Sequence, residues 1–170
     1  MEYLRKRTAS LLLLWAFAGL LLLNGCTKGK ELVPVTGATY VIKGNADGIQ
    51  MVPASSTIAT GNFDGWFDEQ LNVLTFTLSW TGIGTSAVKD PITSINFYGP
   101  ASSGATGTLI HTIKFSNNNV AGSTTMALSG YNELLPAERD AMYGGKLYYV
   151  ICTVSAPNGL IRGQLTATKK

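Results

Sequence analysis

Side chains able to do acid–base, nucleophilic or metal chemistry are few in this chain, which has one histidine, His111, and two cysteines, Cys26 and Cys152, among 170 residues. Any Ser-His-Asp or Cys-His arrangement would have to run through His111. That residue stands in Leu109-Ile110-His111-Thr112-Ile113. The alternating pattern of that stretch puts it opposite Ile110, as an exposed or hydrogen-bonded strand histidine rather than a base. Cys152 lies in the apolar run Tyr148-Tyr149-Val150-Ile151-Cys152, without the electropositive setting that activates a thiol. Asp64, Asp68 and Glu69 cluster near a turn, but their spacing is not that of an EF-hand, and a solvated acidic turn is the expectation. The Gly-, Ser- and Ala-rich stretch 99–107 leads to no Lys-Ser/Thr pair and no helix start, so it reads as a flexible loop rather than a phosphate cradle. Trp66, Trp80, Tyr98, Tyr131, Tyr143, Tyr148 and Tyr149 are enough aromatics for a carbohydrate or peptide surface, with most expected in the core. These residues assign no catalytic group, metal centre or cofactor.

The N-terminus has a more specific chemistry. Arg5-Lys6-Arg7 precedes the nearly unbroken apolar run 11–23, the order of the n- and h-regions of a signal peptide. As a helix that run is about 20 Å long, short of the roughly 30 Å hydrocarbon core of a bilayer, so a permanent span is not expected. The run closes in Leu23-Asn24-Gly25-Cys26, which resembles the bacterial lipobox. The resemblance implies cleavage after Gly25, a diacylglycerol thioether on the Cys26 sulfur and an acylated new amine. Two or three acyl chains make a firm anchor without any spanning helix. Thr27 is not the aspartate that retains such proteins in the inner membrane, so the expected location is the cell envelope, at the outer membrane. With Cys26 committed to lipid, Cys152 should be a buried free thiol. Removing three of the 13 basic and one of the 10 acidic residues with the leader leaves a net charge of +1. No basic cluster interleaved with aromatics remains, which argues against a nucleic-acid partner.

What must position any site is a set of strands. Residues 1–25 read as signal peptide, 26–36 as lipidated N-terminus and polar tether, and 37–170 as one domain. Within the domain, 72–80 alternates Val73, Thr75, Thr77 and Ser79 with Leu74, Phe76, Leu78 and Trp80, one wet face and one buried. Further strands are predicted over 39–43, 57–67, 92–98, 108–115, 123–128, 146–154 and 159–168, separated by Gly-, Asn- and Pro-rich turns. No strand pair is separated by the long amphipathic helix that a parallel sheet requires. Pro157-Asn158-Gly159 predicts a hairpin forming one edge of the core. The segment 132–143 predicts a short helix beginning at Pro136, with Leu134, Leu135, Ala141 and Met142 against the sheet at one end. The expected fold is all-β: an antiparallel two-sheet, Greek-key-like sandwich with one short helix.

Three stretches together resemble the CHRD domain. The first is Gly61-Asn62-Phe63-Asp64-Gly65 with 72–82, similar to a strand pair whose second run reads L-x-Y-x-L-x-W-x-G. The second is Asn96-Phe97-Tyr98-Gly99-Pro100-Ala101, where the family commonly reads H-I-H-G-P-A. The third runs from Gly145-Lys146-Leu147-Tyr148 through Thr153 and Pro157 to Gly159-Leu160-Ile161-Arg162-Gly163-Gln164-Leu165, similar to G-x-L-Y-V-N-V-H-T…P-x-G-E-I-R-G-Q-L. The resemblance covers roughly 41–167. It aligns three family histidines with Asn96, Tyr98 and Cys152, and a frequent acidic residue with Leu160. Three imidazoles on one sheet face would make a plausible metal constellation. An amide, a phenol and a lone thiol do not, so a metal-binding protein or metalloenzyme is the disfavoured alternative. Arg162 is retained, and the expectation for it is structural, bonding loop carbonyls or a carboxylate. The sequence thus points to a membrane-anchored, non-catalytic envelope module that binds a protein, peptide or glycan or has a structural role. Its candidate binding residues are Asn96, Tyr98, Cys152 and Arg162.

Overall fold

The computed structural model describes residues 37–84, 90–119 and 122–170. The signal peptide, Cys26 and the tether lie outside the described residues. The strands are β1 (Thr39–Asp47), β2 (Thr60–Asp68), β3 (Val73–Thr81), β4 (Ile92–Gly99), β5 (Thr108–Asn119), β6 (Ser123–Leu128), β7 (Tyr148–Thr153), β8 (Ile161–Gln164) and β9 (Thr166–Lys169). Among the described residues one α-helix, α1 (Pro136–Tyr143), precedes β7. Every predicted strand is present, and every pairing among them is antiparallel. The alternation read in 72–80 is the alternation seen: Leu74, Phe76, Leu78 and Trp80 are buried, while Thr75 and Thr77 are exposed.

The expected division into two hydrogen-bonded sheets is not what the pairing gives. All nine strands belong to one sheet, in the order β5-β4-β7-β8-β1-β2-β3-β6, with β9 also on β1. At about 4.8 Å per strand, β3 and β4 would lie about 24 Å apart in a flat sheet. The rings of Phe76 on β3 and Phe97 on β4 are 5.6 Å apart, and Phe63 on β2 is 6.2 Å from Phe97. The sheet is therefore curled over its own core. The strand formed by β8 and β9 makes the corner. Gly163 and Arg162 pair with Ala46 and Asp47 of β1, while the same segment pairs with β7 from Tyr148 to Ile151. Past Leu165, the chain continues on β1 alone, from Lys43 to Tyr40. Strands that bend and change partners are how sheets turn corners.

A close contact permits the curl. Tyr149, fully buried on β7, lays its ring against the backbone of Gly163, so that a Cβ there would stand 2.5 Å from Tyr149 Cε1, while a Cβ at Gly44 would meet Cε1 and one at Gly61 the hydroxyl, each at 3.4 Å. Its hydroxyl donates to Gly44 O at 3.3 Å. Burial pushes the phenol pKa well above its ordinary value, so this donor keeps its proton.

Two smaller expectations also need correction. The hairpin turned by Pro157-Asn158-Gly159 does not form an edge, because β7 is flanked by β4 and β8 by β1. The edges are β5 and β6, which are separated by only three residues in sequence, so their ends lie within about 14 Å. The helix begins at Pro136 as predicted and buries Ala141 and Met142, but Leu135 is 59 % exposed. At its end Tyr143 stacks on Tyr40 at 4.5 Å and donates to Glu69 Oε1 at 3.2 Å, closing the end of the core lined by Phe67.

Gly163→Ala is expected to lower the unfolding free energy by about 1–3 kcal/mol through overpacking against Tyr149. Gly122→Ala, whose added methyl would meet nothing nearer than Trp80 O at 3.6 Å, should leave stability within about 0.5 kcal/mol. Urea unfolding of the two variants, followed by fluorescence, checks the contrast.

Candidate functional site

The four residues singled out from the sequence converge on the outer face of β4, β7 and β8. On β4, Ile95 and Phe97 face the core, which turns Asn96 and Tyr98 outward. On β7 both faces are buried: Tyr149 and Ile151 belong to the main core, Tyr148, Val150 and Cys152 to a second small apolar cluster with Ala101, Met51 and Tyr98. This explains the unbroken apolar run, since a strand covered on both sides needs no polar face. The register sets Ser94 opposite Cys152, Asn96 opposite Val150 and Tyr98 opposite Tyr148. Asn96 consequently lies diagonal to Cys152, and its Nδ2 donates to Cys152 Sγ and to Tyr98 OH, each at 3.4 Å. Asn96 Oδ1 is buried without a hydrogen-bond partner.

Beside this trio, three flat groups are layered. The Tyr98 and Tyr148 rings stack at 5.3 Å and 11°, and the Arg162 guanidinium lies 3.6 Å from the Tyr148 centroid. Arg162 is only 2 % exposed. Its NH1 donates to Ala105 O at 2.6 Å, and its NH2 donates to Ser102 O at 3.2 Å and to Gln164 Oε1 at 3.0 Å. Gln164 in turn donates to Ala101 O and Gly145 O, both at 2.9 Å. Gly107 N donates to Tyr148 OH at 3.0 Å. The stretch 99–107, expected to be a flexible loop, is instead clamped as a lid over the small cluster. Arg162 thus bonds two loop carbonyls and an amide oxygen rather than a carboxylate.

Electrostatically the site is quiet. Burial raises the Cys152 thiol pKa and outweighs a hydrogen bond from Ser94, and burial likewise raises that of Tyr98. Burial lowers the pKa of Arg162, which still carries its charge at neutral pH. An opening of about 150 Å³ between Met51, Tyr98, Tyr148, Asn158 and Arg162 has room for a side chain or a few waters, less than the usual small-molecule cleft of about 300 Å³ or more.

Other expected features resolve individually. His111 on β5 is half-buried with Nε2 3.6 Å from Glu138 Oε2, so it is neither fully exposed nor hydrogen-bonded. Asp64 pairs with Lys43 at 2.7 Å, Asp68 accepts from Leu71 N at 2.9 Å and Glu69 accepts from Ala38 N at 3.1 Å. The acidic residues thus hold separate local contacts. No group of three His, Cys, Asp or Glu suited to a metal is found among the described residues. Cys152 is free and buried.

A second surface lies on the opposite half of the sheet. The outward row Val41, Trp66, Thr75 crosses β1, β2 and β3, and the next row is Lys43, Asp64, Thr77. Trp66 is 54 % exposed. The signal was present in the sequence, since alternation along 60–67 sets Trp66 with Asn62 and Asp64 rather than with Phe63 and Phe67.

A family model for the CHRD domain matches residues 42–165. The chain belongs to the CHRD domain family. Neither the curated proteins nor the solved structures contain a match to it. The CHRD match runs from the first fully buried residue of β1 to Leu165 at the corner, so the curl, the lid and the Arg162 clamp all lie within it. The resemblance puts the family's histidines at Asn96, Tyr98 and Cys152, the very positions that the CHRD sheet brings together on one face.

Two outcomes check this geometry. Arg162→Met, which keeps the stem and removes the donors, is expected to cost about 2–4 kcal/mol and to speed amide exchange across 99–107. Cys152 is expected to resist iodoacetamide in the folded protein at pH 8, where a thiol of ordinary pKa is partly ionised, and to react at once in urea. Mass spectrometry of labelled peptides reads both.

Proposed function

We propose that the protein is a lipid-anchored, non-catalytic CHRD module of the bacterial cell envelope, acting through binding or structural contacts. The single observation that carries this reading is the hydrogen-bonded, uncharged cluster of Asn96, Tyr98 and Cys152. Its amide does not titrate, and burial holds its phenol and thiol in their protonated forms. A group that cannot shed its proton near neutral pH is a poor general base, nucleophile or metal ligand. A metalloenzyme of the kind three histidines could support has no counterpart in this chemistry.

The anchor rests on the n-region, the short apolar run and Leu23-Asn24-Gly25-Cys26, with Cys26 as the lipidated residue. Thr27 favours the outer membrane. The partner classes compatible with the reading are an envelope protein, a peptide or a glycan. A net charge of +1 after processing gives no support to a nucleic-acid partner.

The test has two arms. Cells fed labelled palmitate should label the wild-type protein and leave Cys26→Ala unlabelled, and absence of label on the wild type would remove the anchor. Elemental analysis of detergent-solubilised protein, purified without chelators, should find well under one metal per chain. Stoichiometric metal that disappears in Cys152→Ser would overturn the non-catalytic reading.

A further inference from the structure

The half of the sheet over which no described residue forms a lid shows an unusual combination of groups. Trp66 is the largest exposed apolar side chain on a strand, and on the outer face it is flanked by Val41 and Thr75. Around it the polar side chains are tied in cross-strand pairs: Lys43 to Asp64 at 2.7 Å, Asn62 to Asn45 at 3.1 Å, and Thr77 to Thr125 at 2.9 Å. A shallow depression of about 790 Å³ runs over Trp66, Asp64, Asn62 and Thr77. Adjoining hollows of about 350 and 440 Å³ share Asn62 with it, so the concavity is elongated. From Trp66 to Asn62 along β2 is about 13 Å.

The chemistry of this face selects among ligands. It is a sheet face, not an edge, so the backbone groups of β1, β2 and β3 are occupied in ladders and offer nothing to an added peptide strand. Lys43 is neutralised by Asp64 at contact distance, which leaves Lys170 as the one further cation among the described residues lining the depression, a weak positive field for a polyanion. What remains is a half-exposed indole with Lys170 Nζ 6.0 Å from its ring centroid, flanked by the Thr75 hydroxyl and followed along the depression by Asp64, Thr77 and Asn62. Thr77 and Thr125 share one hydrogen between their oxygens, which leaves one O–H and several lone pairs for a ligand. A pyranose ring matches this set. One face is a sheet of C–H bonds, whose partial positive charge is attracted to the negative face of an aromatic ring, and its rim is hydroxyls. The cross-strand ties hold the polar groups in place before binding, which cuts the ordering cost.

We propose that the outer face centred on Trp66 is a binding site for a neutral oligosaccharide, with Trp66 stacking on one sugar ring and Asn62, Asp64 and Thr77 bonding hydroxyls along the chain. This deepens the binding-module reading above, on which it rests, and depends neither on the lipid nor on the Asn96 cluster.

The experiment uses the processed full-length protein in detergent, with pull-down on insoluble cellulose and chitin and affinity electrophoresis in gels containing xylan or laminarin. Retention on at least one of these polysaccharides is expected. It should survive about 1 M NaCl, where the Debye length is about 3 Å, fall at least about tenfold in Trp66→Ala, and be partly kept in Trp66→Phe. The melting temperature of Trp66→Ala, a change at an exposed strand position, should match the wild type and so separate lost binding from lost folding. No retention on any of the four, retention undiminished in Trp66→Ala, or retention abolished by salt would each overturn the proposal. So would a co-purifying protein lost from Trp66→Ala in the absence of glycan retention, which would give the face to a protein partner. None of these results touches the palmitate or metal outcomes, so failure here is distinct from failure of the envelope-module reading.

Discussion

The sheet turns back on itself where the ring of Tyr149 presses on the backbones of Gly163, Gly44 and Gly61. Without side chains at those three points, β8, β1 and β2 can approach the β7 tyrosine from several directions and still keep their ladders. Phe63 packs on the other side of Tyr149 at 5.5 Å and carries the contact on to Phe76 and Phe97. The core is thus a chain of aromatic rings that begins at the corner and ends where the two halves of the sheet meet. A β-branched residue at any of the three glycines would push the corner open and part those rings. Interiors pack like organic crystals, so displacement of this kind is not absorbed locally.

Curling the sheet leaves its outer face in two unlike halves. Around β7 it is apolar, with Tyr148, Val150 and Cys152, and must be covered. The lid that covers it has its own carbonyls to satisfy, and Arg162 donates to two of them, Ala105 O and Ser102 O, and to Gln164 Oε1 while its plane rests on Tyr148. Taking a guanidinium out of water costs several kcal/mol. Here charge-assisted bonds to fixed carbonyls and the π face offset that cost without a carboxylate. Lysine could not replace it, because one ammonium cannot reach Ala105, Ser102 and Gln164 while also stacking.

Much of this was legible in the sequence because it depends on local rules. Period two along 72–80 and 92–98, the turn residues, and Pro136 at the start of a helix are each set by neighbours within a few positions. The single curled sheet was not legible in that way. Whether strands 146–154 and 159–168 form an edge or a centre depends on β1, more than 100 residues earlier in the chain, finding the free side of β8. The order of 99–107 was hidden for the same reason, since a Gly-, Ser- and Ala-rich segment is flexible only until a distant arginine binds its carbonyls. For the candidate site, the grouping of Asn96, Tyr98 and Cys152 could be read from the family resemblance, but their closure into one neutral cluster needed the register of β4 on β7. Residue type alone does not separate Trp66 from the aromatics of the core; the alternation of its own strand does.

The two outer halves can be weighed against each other. An apolar outer surface on β7 forces a lid, and holding that lid accounts for the buried Arg162. Over the half formed by β1, β2 and β3 no described residue forms a lid, and, being built of Thr, Asn, Asp and Lys pairs, it requires none. On such a face a tryptophan contributes little to stability, since more than half of its surface stays in water. A threonine there would have the same strand preference and none of the exposed apolar area. Within this structure Trp66 is therefore a residue that folding does not account for. It sits among polar groups already fixed in position, which is the arrangement a ligand-binding surface needs and a purely structural face does not.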